Sequence, residues 1–229
     1  MEALWFVLGF AVTTTVNNKR NITLANNGMG IYAENSNVSN TGSITTGDKA
    51  GTGYSIGIYG NKTSNILNKG TITLNNDDST GVMLNIASTL DNQGTINVNG
   101  TDSYGILVNQ GNTAFTGTNN GIINVNGAST GMYLNTAGES KNTGTITAST
   151  GNNAIGIYAD NNKIGGVFGG SQIDLTSGTI NLGSSENAIG VYVNTGTVKD
   201  TTGSTLTVGK NGIGVYESGS TGKIKGGTI

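Results

Sequence analysis

Short runs of alternating apolar and polar residues recur about every 24 residues along the whole chain. Residues 81–84 and 95–98 show the pattern. In each run, two apolar side chains are separated by a single residue whose side chain is polar or larger. A period of two is typical of half-buried β-strands. Glycine and asparagine, which separate the runs, are poor helix formers. Each repeat therefore predicts three short strands joined by turns.

Two glycine motifs run in step through the chain. In the first motif, glycine precedes an aliphatic residue and then Tyr, Met or Leu. Its glycines are Gly30, Gly57, Gly81, Gly105, Gly131, Gly156, Gly190 and Gly214. In the second motif, glycine precedes a strand such as Thr-Ile-Thr. Its glycines are Gly42, Gly70, Gly94, Gly121, Gly144, Gly178 and Gly227.

Self-similarity at such a period indicates a stacked-repeat architecture. Like residues recur in the same order without reversal, which favours parallel stacking over a sandwich of hairpins. The strands are also far shorter than those of a transmembrane barrel. The sequence predicts an all-β, right-handed parallel β-helix (β-solenoid) of about eight coils with three short strands per coil.

Alternation also predicts which side chains face inward. Ile, Val and Leu rows should fill the core, whereas the glycine and tyrosine of the first motif should share the outer face. The outer row comprises Tyr32, Tyr59, Met83, Leu107, Tyr133, Tyr158, Tyr192 and Tyr216. An aligned apolar row is the kind of patch that marks a binding site, and its six tyrosines are the predicted ligand contacts. The alternative is that stacked tyrosines only stabilise the fold.

Two further features follow from the alignment of the repeats. Asparagines two residues before the second-motif glycine should stack into an amide ladder. They are Asn40, Asn68, Asn92, Asn119 and Asn142.

One repeat carries about ten extra residues, and insertions in repeat proteins map to loops that often bind ligands. The predicted binding loop contains Lys163, Val167, Phe168 and Ser171.

Composition excludes several functions. The 229-residue chain contains no Cys, His or Pro, its charged fraction is 10%, and its net charge is -2. Without His or Cys, catalysis by a Ser-His or Cys-His pair is impossible. A polybasic nucleic-acid surface is equally excluded. The acidic pair Asp77 and Asp78, joined by Asp102 one coil later, is best explained as solvated turn residues. The sequence predicts no metal site and no cofactor.

The N-terminal residues differ from the repeats. Residues 3–12 form an apolar run that is too short to span a bilayer, which needs about 20 residues. We expect residues 1–20 to be a separate segment, either a cap or the remnant of a signal or upstream region, and residues 21–229 to form the solenoid. The sequence stops inside a repeat, which indicates a fragment of a longer protein.

The repeat resembles a known family. Motifs such as residues 142–147 (Asn-Thr-Gly-Thr-Ile-Thr) and 55–59 (Ser-Ile-Gly-Ile-Tyr), in a cysteine-free chain, resemble the β-helix passenger domains of type V (autotransporter) adhesins of Gram-negative bacteria. This resemblance implies display on the cell surface, and outer-membrane anchoring through a C-terminal translocator barrel that this fragment lacks. It also implies a surface protein or glycan of a host or neighbouring cell as partner.

We therefore expect a surface-exposed adhesin or rigid display stalk, and not an enzyme. Two alternatives stay open. The first is a purely structural spacer, with recognition elsewhere in the full protein. The second is a carbohydrate-active β-helix enzyme, which would need carboxylates clustered around the predicted binding loop, where only Asp160 and Asp174 are near.

Overall fold

The computed structural model describes residues 14–47, 53–109, 116–136, 138–160, 163–164, 167–168, 171–194, 196–200 and 203–218. All regular structure in these ranges is β-strand. Within them, there is no helix with the length and hydrophobicity needed to cross a membrane.

Three parallel sheets of eight strands each make up the fold. Sheet A contains β1 (Thr14–Asn18), β4 (Ser36–Asn40), β7 (Asn65–Asn68), β10 (Thr89–Asn92), β13 (Thr116–Asn119), β16 (Glu139–Asn142), β21 (Ser171–Asp174) and β24 (Gly196–Asp200). Sheet B contains β2 (Asn21–Thr23), β5 (Ser43–Thr45), β8 (Thr71–Leu74), β11 (Thr95–Val98), β14 (Ile122–Val125), β17 (Thr145–Thr147), β22 (Thr179–Leu182) and β25 (Thr205–Val208). Sheet C contains β3 (Met29–Glu34), β6 (Ile56–Asn61), β9 (Thr80–Leu84), β12 (Tyr104–Val108), β15 (Thr130–Leu134), β18 (Ile155–Ala159), β23 (Ile189–Val193) and β26 (Ile213–Glu217).

Each coil runs through sheets A, B and C in turn, and each strand pairs with its equivalent in the next coil. In sheet B, for example, Ile72 lies beside Ile96, which lies beside Ile123. A short antiparallel pair, β19 (Lys163–Ile164) and β20 (Val167–Phe168), branches from the sixth coil. The predicted all-β parallel β-solenoid with about eight coils and three strands per coil is confirmed.

Aliphatic rows from the three sheets fill the core. The inward-facing isoleucines Ile72, Ile96 and Ile123 of sheet B have no exposed surface. Their partners on the same strands, Leu74 and Val98, are equally buried. Burying one such side chain stabilises the fold by about 1.5–3 kcal/mol. Because the repeats stack like on like, each coil supplies this stabilisation again.

The first-motif glycines face the core side of sheet C, and the prediction that they share the outer face with tyrosine is wrong. A Cβ on Gly105 would lie 2.6 Å from the carbonyl oxygen of Gly131 and 2.8 Å from Cγ2 of the buried Ile123. The glycine and the next residue, Ile106, are both buried, so alternation breaks at this point. Only glycine fits here, because the backbone of sheet C approaches both the next coil and sheet B closely.

The predicted asparagine ladder is confirmed. The side-chain amide of each member donates to Oδ1 of the asparagine one coil further on, and every Nδ2–Oδ1 distance is 2.7 Å. The ladder runs through Asn18, Asn40, Asn68, Asn92, Asn119 and Asn142. Its members are buried, so each bond satisfies polar atoms that water cannot reach.

The solenoid reaches further toward the N-terminus than the boundary at residue 21 that we expected. β1, which lies within residues 1–20, pairs along its whole length with β4. Val16 packs against the core, and Asn18 is the first member of the asparagine ladder. The first coil therefore begins by Thr14. The apolar run at residues 3–12 lies outside the described residues.

Candidate functional site

The outer surfaces of the three sheets differ in chemistry. On sheet B the side chains facing solvent are mainly Thr, Asn and Ser, and Ile122 is an apolar exception with 44% exposure. On sheet A they are mainly Asn, Thr, Ser and charged residues, with Leu67 as an exception. On sheet C the exposed and half-exposed side chains are mainly Tyr, Ile, Met and Leu, and the polar ones, Glu34, Asn61 and Glu217, lie at strand ends. One surface of the rod is thus apolar beside two polar ones.

We call this apolar surface the sheet C face. It consists of Met29, Tyr32, Tyr54, Tyr59, Met83, Tyr104, Leu107, Tyr133, Ile155, Tyr158, Ile189, Tyr192, Ile213 and Tyr216. All eight tyrosines of the chain belong to it. None of its members is charged.

The predicted outer row of tyrosines lies in register along this face. Tyr32 pairs with Tyr59 at one end, and Tyr133, Tyr158 and Tyr192 follow one another in successive coils toward the other. The rings of Tyr133 and Tyr158 stack with their centroids 5.0 Å apart and 5° between their planes. Met83 and Leu107 continue the row between the two groups of tyrosines. The stripe predicted from sequence is therefore a continuous row.

Several members of the sheet C face could not be assigned from the period of two. Tyr104 begins β12 and meets Tyr133 edge to face, with centroids 5.3 Å apart. Tyr54 lies before β6, is 48% exposed, and its hydroxyl lies 3.4 Å from Sδ of Met83. Ile213 precedes a first-motif glycine and is 43% exposed. An apolar or aromatic residue directly before that glycine marks this second row in several coils, whereas Ile56 at the same place is buried.

Polar residues lie beside the tyrosine row, at the C-terminal ends of the sheet C strands. Tyr32 donates to Oε2 of Glu34 at 2.6 Å, and Glu34 also pairs with Lys62. The hydrogen bond to Glu34, together with burial, raises the pKa of Tyr32. The hydrogen bond from Lys62, followed by that from Tyr32, lowers the pKa of Glu34. This end of the border is held by an ion pair.

A second bordering cluster lies four coils further along. Tyr133 donates to Oδ2 of Asp160 at 2.6 Å, and Asn194 donates to Oδ1 of the same carboxylate at 2.9 Å. Burial, with the bond to Asp160 as the next cause, raises the pKa of Tyr133 far above its usual range. Burial also raises the pKa of Tyr158. Both tyrosines therefore stay neutral at physiological pH, and Tyr133 acts as an uncharged donor to Asp160.

The predicted binding loop divides into two parts. Lys163 and Val167, with Phe168, lie in the antiparallel pair β19–β20, where the structure describes the backbone. Ser171 lies in β21 and has no exposed surface. Its hydroxyl donates to the carbonyl oxygens of Leu134 and Thr136 at 3.1 and 2.7 Å. Ser171 therefore serves the fold and offers nothing to a ligand.

The carboxylates near this loop are not brought together. Asp160 follows β18 at the border of the sheet C face, whereas Asp174 lies in β21 of sheet A. Asp174 pairs with Lys141 at 3.3 Å and accepts from the backbone of Thr176 at 2.9 Å. The two carboxylates belong to different sheets and have different partners.

The acidic turn residues stack without forming a shared site. Asp78 and Asp102 occupy the same turn position in adjacent coils, with φ values of 55° and 51°. The Asp77 carboxylate accepts from the backbone N–H of Thr101 at 2.6 Å. Such bonds are typical of turns, in which Asp satisfies neighbouring backbone groups. Over the described part of the chain, no group of three or more acidic side chains is arranged to hold a metal ion.

A shallow groove of about 610 Å³ lies on sheet A and extends over several coils. Asn37, Asn65 and Thr89 line it and form a hydrogen-bonded row. Asp91 is the one acidic side chain among the described lining residues, and it accepts from Gln93 at 2.6 Å and Asn120 at 2.8 Å. Glycoside hydrolysis ordinarily needs two carboxylates facing one another, and this groove presents one.

Comparison with known proteins shows that part of the chain matches the model of one protein family. Residues 10–117 match the family model described as the BigA third pectate lyase-like domain. No curated protein matches the chain, and no solved structure does so. The matched region covers β1 to β12. The chain is thus a parallel β-solenoid that is similar, over residues 10–117, to a pectate lyase-like β-helix domain.

Proposed function

We propose that this chain is part of a surface-displayed adhesin, in which the rigid solenoid presents the sheet C face to a ligand on a host or neighbouring cell. The similarity to a BigA domain supports a surface protein of the adhesin type. The repeat motifs favour the passenger of an autotransporter, anchored in the outer membrane through a C-terminal translocator domain. The ligand is a surface protein or glycan.

The apolar surface of sheet C is the single observation that carries this proposal. Sheets A and B stack in the same parallel way, with strands of three to five residues against five or six in sheet C, yet their outer positions are largely polar. The sheet C face spans about eight coils, and its projected area is roughly 600 Å² for strands of five residues stacked at about 4.8 Å. A largely apolar patch of this size is at the upper limit of what a monomer exposes, and such patches are often interaction sites.

We further propose that the chain acts by binding and not by catalysis. It contains no His or Cys. The groove on sheet A supplies one carboxylate, Asp91, whose two oxygens both accept hydrogen bonds. A general acid needs a partner base or nucleophile across the substrate, and the described carboxylates Asp91, Asp160 and Asp174 lie apart on two sheets.

The test is binding of the purified chain to host cells and to a glycan array. Tyr133, Tyr158 and Tyr192 are replaced together by Ser, and a control carries Thr145→Ser and Thr147→Ser on sheet B. Far-UV circular dichroism reports whether each variant keeps its β-structure. Saturable binding that the tyrosine variant loses and the sheet B control keeps would support the proposal. Equal binding by both variants, or none by the unmodified chain, would leave the spacer interpretation.

A further inference from the structure

The stacked rings give the sheet C face a regular relief. Neighbouring rings are 5.0 Å apart for Tyr133 and Tyr158 and 4.6 Å apart for Tyr158 and Tyr192, close to the strand spacing of about 4.8 Å. The planes within each pair are nearly parallel, at 5° and 2°. Each ring therefore covers the flat face of its neighbour and presents its edge outward. From Tyr133 to Tyr192 the surface is therefore a series of ridges that repeats once per coil.

This relief restricts the partner. A flat sugar ring binds an aromatic side chain through the aromatic face, and within the stack those faces are covered. The absence of charged members on the sheet C face disfavours anionic lipids and polyanionic glycans, which need Lys or Arg. A partner that matches the face over many coils must be apolar, flat and ridged with the same period. Another copy of the same face satisfies all three requirements.

We propose that the neighbouring-cell ligand of this chain is a second copy of the chain, packed face to face through sheet C. This inference rests on the proposed function, because it names the partner of the same surface. Pairing two such faces would remove roughly 1,200 Å² or more from solvent, which reaches the lower limit of specific, stable interfaces. Ridges of one copy would enter the grooves of the other, as in the dry interfaces between stacked β-sheets.

The outer row of the sheet C face contains large tyrosines and the smaller Met83 and Leu107, and this sequence of sizes favours an antiparallel arrangement of the two rods. A two-fold axis between the fourth and fifth coils places Leu107 opposite Tyr133 of the second copy, and Met83 opposite Tyr158. Smaller side chains then face larger ones along the middle of the interface, which a parallel arrangement does not achieve. At the border, Asp160 faces the neutral Asn85 of the second copy. Glu34 faces the coil that carries Glu217, and its charge is balanced by Lys62. Such a closed, isologous pair is the commonest symmetry of oligomers.

The test is sedimentation velocity of the purified chain over a range of concentrations. Ile189 on the sheet C face is replaced by Lys, and the matched control is Asn181→Lys on the outer surface of sheet B in the same coil. An unpaired cation buried in an apolar interface is costly. We expect a dimer for the unmodified chain and for Asn181→Lys, and a dissociation constant raised at least about tenfold for Ile189→Lys.

Two cysteine variants test the pairing without a buried charge that could disturb folding, and they also report whether the two rods are parallel or antiparallel. Leu107→Cys and Tyr133→Cys are prepared separately, since the chain has no cysteine of its own. Under mild oxidation an antiparallel pair should give a disulfide-linked dimer mainly in the mixture of the two variants, and a parallel pair mainly within each variant alone. Dimers formed within each variant would overturn the proposed orientation.

Two outcomes would overturn the pairing itself. One is a monomer at all concentrations. The other is association that Ile189→Lys leaves unchanged while the variant keeps its β-structure. If the chain is monomeric and still binds host cells through its tyrosines, the second copy is wrong as partner and the adhesin function stands. If neither association nor cell binding occurs, both proposals fail.

Discussion

The rings of Tyr158 and Tyr192 lie 4.6 Å apart at their centroids, with 2° between their planes. Such a stack stabilises adjacent coils, because each aromatic pair contributes about 0.5–1.5 kcal/mol beyond the area it buries. The same arrangement leaves the ring edges half-exposed along the rod. The two interpretations of the tyrosine row, as a stabilising ladder and as a contact surface, are therefore compatible in this geometry.

Replacing Tyr158 by Ser should destabilise the fold, whereas Tyr158→Phe should not. Tyr158 stacks on both Tyr133 and Tyr192. The Ser variant removes two aromatic contacts, so we expect a loss of about 1–3 kcal/mol in the free energy of unfolding. Urea unfolding followed by far-UV circular dichroism measures it. Equal midpoints for Ser and Phe would show that the stack adds nothing to stability.

Gly105→Ala should be destabilising by about 1–3 kcal/mol, because the added methyl group must push against the backbone of Gly131 and the buried Ile123. Gly183→Ala is the matched control. Its Cβ would meet no atom closer than 3.2 Å, and that atom belongs to the side chain of Asn181. Thermal unfolding of the two variants compares them. A midpoint for Gly105→Ala as high as that of the control would contradict the close approach of the coils.

Asn92→Ala should cost about 2–4 kcal/mol, since it leaves a donor of Asn68 and an acceptor of Asn119 unpaired and buried. Asn99→Ala is the control in the same coil. Asn99 also sits between two asparagines of a ladder, at 3.0 and 2.9 Å, but it is half-exposed. Water can replace its partners, so the loss in unfolding free energy should be smaller. Similar losses in unfolding free energy for the two variants would show that burial does not determine how much the asparagine ladder stabilises the fold.

Stability should fall as the pH rises above about 10, the value near which tyrosine ionises in an unfolded chain. Burial and the bond to Asp160 raise the pKa of Tyr133 in the folded protein. Above that pH the unfolded chain has lost this proton while the folded one retains it, so the stabilisation declines as the pH approaches the raised pKa. Unfolding midpoints across this range should decline less steeply for Tyr133→Phe. Identical slopes for the two proteins would refute the assignment.

The repeating parts of this structure could be predicted from the sequence because they depend on one residue type at one position. The asparagine ladder is the clearest case. Asn92 and its equivalents occupy the same place in each repeat, and parallel stacking alone brings them together. The tyrosine row followed in the same way, since Tyr158 and Tyr192 occupy equivalent positions.

The sequence period failed where the backbone departs from regular alternation. At Gly105 two consecutive residues are buried, so the residue before it, Tyr104, faces outward instead of inward. A period of two cannot reveal this break, which depends on how closely the coils approach. Tyr54 lies in the segment before β6, where a period of two gives no information about the direction of its side chain. The burial of Ser171 depends on carbonyl groups one coil away, which the local sequence of the predicted binding loop does not reveal.

The central claim is that the sheet C face is the part of the rod that makes contact. Single cysteines test it most directly, since the natural chain has none. Ile189→Cys, Thr147→Cys and Thr118→Cys place one thiol on sheets C, B and A, and the rate of maleimide labelling is compared for the free and the cell-bound chain. The account predicts strong protection at residue 189 and unchanged rates at 147 and 118. Protection at 147 or 118 instead, or equal rates at all three positions, would contradict it.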